Sequence, residues 1–143
     1  MNRDSITAKL AYASDIVIYL AIWAAALIFG QRSLFWVTSL CLSGVAFVLW
    51  IMARKQLGSS FMIGVQATQL VTHGLYRYFK HPIYYFGWLA HLFAYLALQI
   101  WWLTVIWILV ATSVQLSRLH RENLALEAEF GDAFRLHRRS TWV

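Results

Sequence analysis

Cysteine is almost missing from this 143-residue chain. Cys41 stands alone inside an apolar run, so neither an intrachain disulfide framework nor a cysteine metal cluster is possible. Its surroundings mark it as a small packing residue. Proline occurs once, at Pro82. Charge is scarce as well: 13% of residues are Asp, Glu, Lys or Arg, and only six are acidic. Soluble domains carry about 25% charged residues, so a chain this poor in charge needs a lipid solvent for its apolar surface. Catalytic nucleophile triads, glycine-rich phosphate loops and paired cysteines are not found. Basic and aromatic residues do not interleave outside the flanks of apolar segments, which excludes a nucleic-acid partner. The apolar segments carry no ladder of charges of the kind that lines a channel or pump.

What is present is hydrophobic and aromatic. Residues of apolar type make up 61% of the chain, with eight Trp and seven Tyr. Such amphipathic rings favour the membrane–water interface. The first residues, MNRDSITAKLAYASD, lead into a long apolar stretch without a small-residue cleavage site, which predicts a retained helix rather than a secretory signal.

A bilayer core about 30 Å thick needs about 20 helical residues. Apolar segments suited to that length lie at about 12–29 and 33–53, the second ended by Arg54 and Lys55. Asp15 sits near the start of the first, at the interface or as a cap. Residues 82–117 carry no Asp, Glu, Lys or Arg. As a single helix these 36 residues would reach about 54 Å, so the pattern predicts a hairpin, with spans at about 82–98 and 101–118. Gln99 is the strongly polar residue near its midpoint, and Trp101 and Trp102 suit an interface. Leu119, Leu126, Phe130 and Ala133 then recur at helical spacing, predicting an amphipathic helix over 118–137, either separate from the fourth span or continuing straight out of it. Residues 54–81 form a polar connector.

The expected fold is therefore an all-α integral membrane domain occupying the whole chain. It has four transmembrane helices plus a C-terminal amphipathic helix. Lys and Arg orient it. With four spans, eleven of the twelve cations fall on the side of both termini and the connector, and Arg32 alone on the other. That predicts a multi-pass membrane protein with both termini, the connector and the tail in the cytoplasm.

The polar functional groups cluster on that cytoplasmic side. In "GLYRYFKHPIYYFGW" (Gly74 to Trp88), Pro82 suits a first helical turn and His81 the position before it. Free N–H groups there favour an anionic group, and Tyr76 and Tyr84 would frame a ligand. The same residues also read as plain membrane anchors and an aromatic belt. His91 shares a helical stripe with Tyr84, Trp88 and Tyr95. It is expected to be bonded to a neighbouring span or to serve substrate binding. No His or Glu stands four residues away from it, so a metal site is not expected. Arg118 and Glu122 stand four apart on one helix face. They are either a surface ion pair or a polar pair at a cytosolic mouth, with Arg118 able to clamp a carboxylate or phosphate.

Two stretches carry a resemblance. "LVTHGLYRYFKHPIYYFGW" is similar to the signature L-V-T-x-G-x-Y-x-x-x-R-H-P-x-Y-x-G-W, and "RLHRENLALEAEFGDAF" to R-x-x-x-E-E-x-x-L-x-x-x-F-G-x-x-Y. In this order, separated by a helical hairpin and preceded by "RKQLGSSF", they resemble the isoprenylcysteine carboxyl methyltransferase and phospholipid methyltransferase superfamily of integral membrane methyltransferases. The resemblance covers about residues 51–137.

It implies S-adenosylmethionine as methyl donor and a lipophilic acceptor: an isoprenylcysteine-like carboxylate, a phospholipid amine or a small lipophile. It implies a cytosolic cofactor pocket built by the connector, the start of the third span and the C-terminal helix. Leu70, Val71, Gly74, Tyr76, His81, Pro82 and Tyr84 match the cofactor-binding stretch. Glu122 matches the acidic residue on the cofactor, and Arg118 the arginine at the reacting end of the substrate. These last two are the candidate catalytic residues. Lys80, Asn123, Phe134 and His137 depart from the pattern, replacing an arginine, an acid and two tyrosines. Two other readings share parts of the pattern. One is a nicotinamide-dependent membrane reductase of the sterol-reductase kind, which carries a similar histidine–proline stretch. The other is a catalytically decayed membrane scaffold.

Overall fold

A computed structural model describes residues 3–57 and 73–141, with side chains over 13–57, 73–136 and 141. The elements are four α-helices and one short 3-10 turn, with no strand among the described residues. Helix α1 spans Arg3–Phe29, α2 Leu34–Leu57, α3 Pro82–Leu98 and α4 Trp101–Ser140. The 3-10 turn is Gly74–Arg77. Helices α2 and the Trp101–Leu136 part of α4 are long and apolar enough to cross a membrane; Ala13–Phe29 and α3 are shorter apolar helices.

Helix α3 is the centre of the bundle, packing most closely on α2 and also on α1 and α4. Its inner stripe explains this: Ala90, Ala94 and Ala97 are fully buried, and such small side chains let neighbouring backbones approach. One hydroxyl ties three helices together. Ser43 of α2 donates from Oγ to the Ala90 carbonyl of α3 at 2.7 Å. The same Oγ accepts from Trp23 Nε1 of α1 at 2.9 Å and meets the Tyr19 hydroxyl at 2.9 Å. Inside an apolar bundle, polar side chains need partners of this kind. Outward-facing positions are apolar instead, among them Ile28, Leu34, Val45, Leu109 and Val110.

The two turns at the other end are clasped by Gln99. It takes the left-handed conformation (φ 58°) that closes α3. Its Nε2 donates to Ser33 Oγ at 3.1 Å, and its Oε1 accepts from the Gln31 N–H at 3.1 Å. A side chain that staples the neighbouring turn thus stabilises a conformation for which glycine is the usual choice.

Two boundaries differ from those expected. Helix α1 begins at Arg3, well ahead of its apolar stretch, and α2 continues past Arg54 and Lys55 to Leu57. Helix α4 takes the continuous form of the two left open for the tail: it runs from Trp101 past Arg118 into the charged segment. Its break comes later, at Gly131 (φ 47°, ψ −118°), in a region open to glycine and little else.

Candidate functional site

The site forms where the 3-10 turn, the first turn of α3 and the charged half of α4 meet. It is held from below by α2. Gln56, in the last turn of α2, accepts the Leu75 N–H at 2.7 Å through Oε1. The same side chain lies where a Cβ on residue 74 would sit, and Gly74 has φ 62°, so glycine is required twice over. The turn delivers Tyr76 inward, 7% exposed. Burial, and then the negative charge of Glu122, push the Tyr76 phenol well above its ordinary range; Tyr84 adds to this and Arg54 opposes it. Phe79 stacks on Tyr85 at 5.4 Å and meets Phe86 edge-on at 5.1 Å, fixing the chain as it enters α3.

Pro82 begins α3 in the first-turn position where its missing N–H costs no bond, and it is fully buried. His81 precedes it but does not cap the helix with its side chain. The ring crosses to α4. Its Nε2 lies 2.9 Å from Asn123 Oδ1 and its Nδ1 lies 3.7 Å from Glu122 Oε1. The His81 side chain is 12% exposed and that of Glu122 39%, so the carboxylate remains reachable from solvent. Tyr84 stands one turn into α3, its ring 6.0 Å from that of His81 and its hydroxyl within the field of Glu122. The Tyr84 carbonyl accepts Gln115 Nε2 at 2.8 Å, which pins α4 to α3 beside the site.

Tyr76, His81, Tyr84 and Glu122 therefore come together. Gly74 and Pro82 shape the backbone that presents them. Arg118 is exposed at the edge: its charge reaches Tyr84, and with Ser113, Val114, Ser117 and Arg121 it lines an open groove along α4. Arg118 forms no ion pair with Glu122 among the described residues, because Glu122 turns to His81. Leu70 and Val71 lie outside the described residues. Gln56 and Gln115 are contributors that the sequence reading did not single out. Gln115 stands seven positions before Glu122, two helical turns along the same face, and that spacing was the available signal.

His91 corrects an expectation. Its Nδ1 bonds the Gly87 carbonyl of its own helix at 2.9 Å, not a neighbouring one. The neighbours contribute rings instead, Trp107 stacked at 6.1 Å and Tyr19 edge-on at 5.5 Å.

The chemistry of the cluster suits a cationic, aromatic ligand. A solvent-reachable carboxylate provides negative charge, and two phenol rings with an imidazole provide faces and hydrogen bonds. An S-adenosylmethionine molecule presents a sulfonium, an ammonium and an adenine to such groups, so the residues present fit it.

The sequence model of a family described as phospholipid methyltransferase matches residues 33–133, more than half of the chain. No curated protein and no solved structure matches.

Proposed function

The chain belongs to the phospholipid methyltransferase family, and from that premise we propose that it transfers a methyl group from S-adenosylmethionine to a lipophilic acceptor at the cytosolic face of a membrane. Four membrane crossings, with both termini in the cytoplasm, complete this reading. Its support is the distribution of Lys and Arg and the four apolar helices.

The observation that carries the proposal is the meeting of His81 with Glu122 and Tyr84, from segments far apart in sequence, at the end of the bundle where the cations collect. When bound, the cofactor supplies a methyl group on a positively charged sulfur. Glu122 accepts hydrogen bonds from its polar groups, and Tyr76 and Tyr84 pack against it. The resemblance assigns Leu70 and Val71, which lie outside the described residues, to the same cofactor-binding stretch. Arg118, at the groove edge, holds an anionic group of the acceptor; its planar fork suits a carboxylate or phosphate. The apolar flank of α4 gives a lipid-like acceptor a lateral approach, while the cofactor enters from water. Methyl transfer asks chiefly for alignment of nucleophile and donor and for a dry site, which packed helices provide. An acceptor that must lose a proton finds His81 and Glu122 as bases.

Calorimetric titration of the detergent-purified chain with S-adenosylmethionine and with its demethylated product tests this. Saturable binding of both, lost in Glu122→Ala, is the expected result. A folded sample that binds neither would overturn the proposal, and nicotinamide nucleotides would then be titrated in their place.

A further inference from the structure

Two side-chain groups between α3 and α4 lack what the rest of the molecule supplies. The Trp88 indole Nε1 and the Thr112 hydroxyl are buried, and neither has a hydrogen-bond partner among the described residues. Other groups of the same kinds are satisfied. Trp23 Nε1 donates to Ser43 Oγ and Trp36 Nε1 to the Ala26 carbonyl, each at 2.9 Å. On α4 itself, Thr104, Ser113 and Ser117 each donate to the carbonyl four residues back. Thr112 does not take that bond. Buried polar groups are rarely left this way, and each calls for a reason.

The register of the two helices brings both groups to one level. Gln115 donates to the Tyr84 carbonyl, and Thr104 to that of Tyr95. From 84 to 95 and from 104 to 115 the step is the same eleven residues, so the antiparallel register is constant between these ties. Trp88, four residues past Tyr84, therefore meets the turn of α4 that holds Thr112. That level lies about 6 Å deeper in the bundle than Tyr84. Helix α4 also rests on α3 less closely than α1 or α2 does.

The chemistry narrows the occupant. The indole only donates, whereas the hydroxyl donates or accepts. Residues 82–117 hold no Asp, Glu, Lys or Arg, so an ionic group there would be uncompensated. The Tyr84 and Gly87 carbonyls already accept from Gln115 and His91. A group that brings its own protons therefore finds few acceptors. A carbonyl oxygen fits: it has two lone pairs and no proton, and takes one bond from each side chain.

We propose that Trp88 and Thr112 form a subsite for a carbonyl oxygen of the methyl acceptor, one helical turn below the cluster of Tyr84, His81 and Glu122. This inference rests on the reading of that cluster as the methyl-transfer site. An acyl ester of a lipid and the amide of a prenylated cysteine both carry such an oxygen near their polar end. Docking it here fixes how far the acceptor slides between the helices, and so where its reacting atom stops.

Nitrogen-15 spectra of the tryptophan-labelled full chain in dodecyl maltoside, a detergent without carbonyls, test this. Trp88 is identified among the eight tryptophans by its loss in Trp88→Phe. Three probes are added: a short-chain diacyl phosphatidylethanolamine, its dialkyl ether analogue and N-acetyl-S-farnesylcysteine. The Trp88 indole proton is expected to move downfield, saturably, with the diester, the amide or both, and to stay in place with the diether. Whichever probe moves it names the source of the carbonyl. Thr112→Val keeps the shape and removes the hydroxyl, so it should weaken that probe's apparent affinity about twofold to tenfold. An indole proton that no probe moves, one that the diether moves as far as the carbonyl probes do, or an affinity unchanged in Thr112→Val would each overturn the inference. The first of these would leave the two groups to a buried water. Should Thr112→Val not fold, the wild-type comparison of probes decides alone. The spectra need no S-adenosylmethionine. A chain with the expected shift that binds no cofactor would refute the proposed function and leave the carbonyl site standing; cofactor binding without the shift would do the reverse.

Discussion

The ammonium of Lys80 stands 5.4 Å from the centroid of the Phe134 ring. Both residues depart from the family pattern, and they meet across 54 positions of sequence. Phe134 is 1% exposed, although it lies in a tail that is otherwise largely solvent-facing. The contact fastens the end of α4 over the turn that leads into His81.

Phe134→Ala removes a fully buried ring and is expected to lower stability by about 3 kcal/mol. Lys80→Ala removes the cation–π contact while keeping the buried ring and should cost about 1 kcal/mol. Thermal unfolding in detergent measures both. Equal costs for the two would show that the ring is not the anchor.

Gly131 makes that anchor reachable. Arg135 Nε lies 2.9 Å from Glu127 Oε1, eight positions back. In a straight helix, eight residues span about 12 Å, so the pair depends on the break at Gly131. No neighbour lies within 4 Å of a Cβ built there, so the cost of Gly131→Ala comes from the backbone alone. About 1–3 kcal/mol is expected if the break persists. If the helix straightens, Phe134 leaves its contact. In that second case the costs of Gly131→Ala and Phe134→Ala will not add, because both remove the same packing. A double-mutant cycle on thermal stability distinguishes the two; full additivity together with a cost near zero would contradict both.

The sequence made some of this visible and hid the rest for physical reasons. The helical class and the extents of the apolar segments follow from hydropathy, because charges are absent where helices pack. The continuity of α4 through Arg118 was one of two readings the sequence left open: charge returns there, but helical spacing persists, and only backbone geometry separates one bent helix from two. The turn at Gln99 carries neither glycine nor proline, so its conformation depends on Ser33 and Gln31 in a distant turn. His81 was singled out by its place before Pro82. Its pairing with Asn123 was not legible, since 42 positions and a helical hairpin separate them.

Gln99 yields a prediction in which two effects compete. Gln99→Ala loses both clasping bonds and keeps the unfavourable φ, so it should cost about 1–2 kcal/mol. Gln99→Gly loses the same bonds but relieves a left-handed strain worth about 1–2 kcal/mol. It should therefore unfold near the wild-type temperature and above Gln99→Ala. The reverse order would mean that the left-handed backbone at position 99 carries no strain that glycine relieves.

Tyr76 sets an alkaline limit. Burial first, then Glu122, raises its phenol above the ordinary 10.0. Unfolding returns it to that ordinary value, so above about pH 10 the unfolded chain loses a proton that the folded chain keeps. This contribution is fully present below pH 10 and is lost as pH rises toward the folded value. Stability measured by denaturant unfolding should be level up to about pH 10 and fall above it. The fall should be shallower in Tyr76→Phe; an identical slope in that variant would assign the alkaline loss to other tyrosines.

Arg118 and Glu122 share a helix but face different surroundings, and their substitutions should separate. Glu122 lies against His81 and within reach of Tyr76 and Tyr84, where the cofactor is proposed to sit. Arg118 is exposed at the groove that opens along the apolar flank of α4. Losing Glu122 should therefore weaken S-adenosylmethionine binding directly. Losing Arg118 should leave that affinity near normal and reduce turnover of an anionic acceptor. A charge-assisted bond worth about 1.5–3 kcal/mol corresponds to a loss of about tenfold to a hundredfold in kcat/KM. Lys at position 118 should restore only part of it, since a point charge cannot grip a carboxylate or phosphate with two parallel bonds. If Arg118→Ala weakens cofactor binding as much as Glu122→Ala does, the arginine belongs to the cofactor wall, and the acceptor must approach from another face of the bundle.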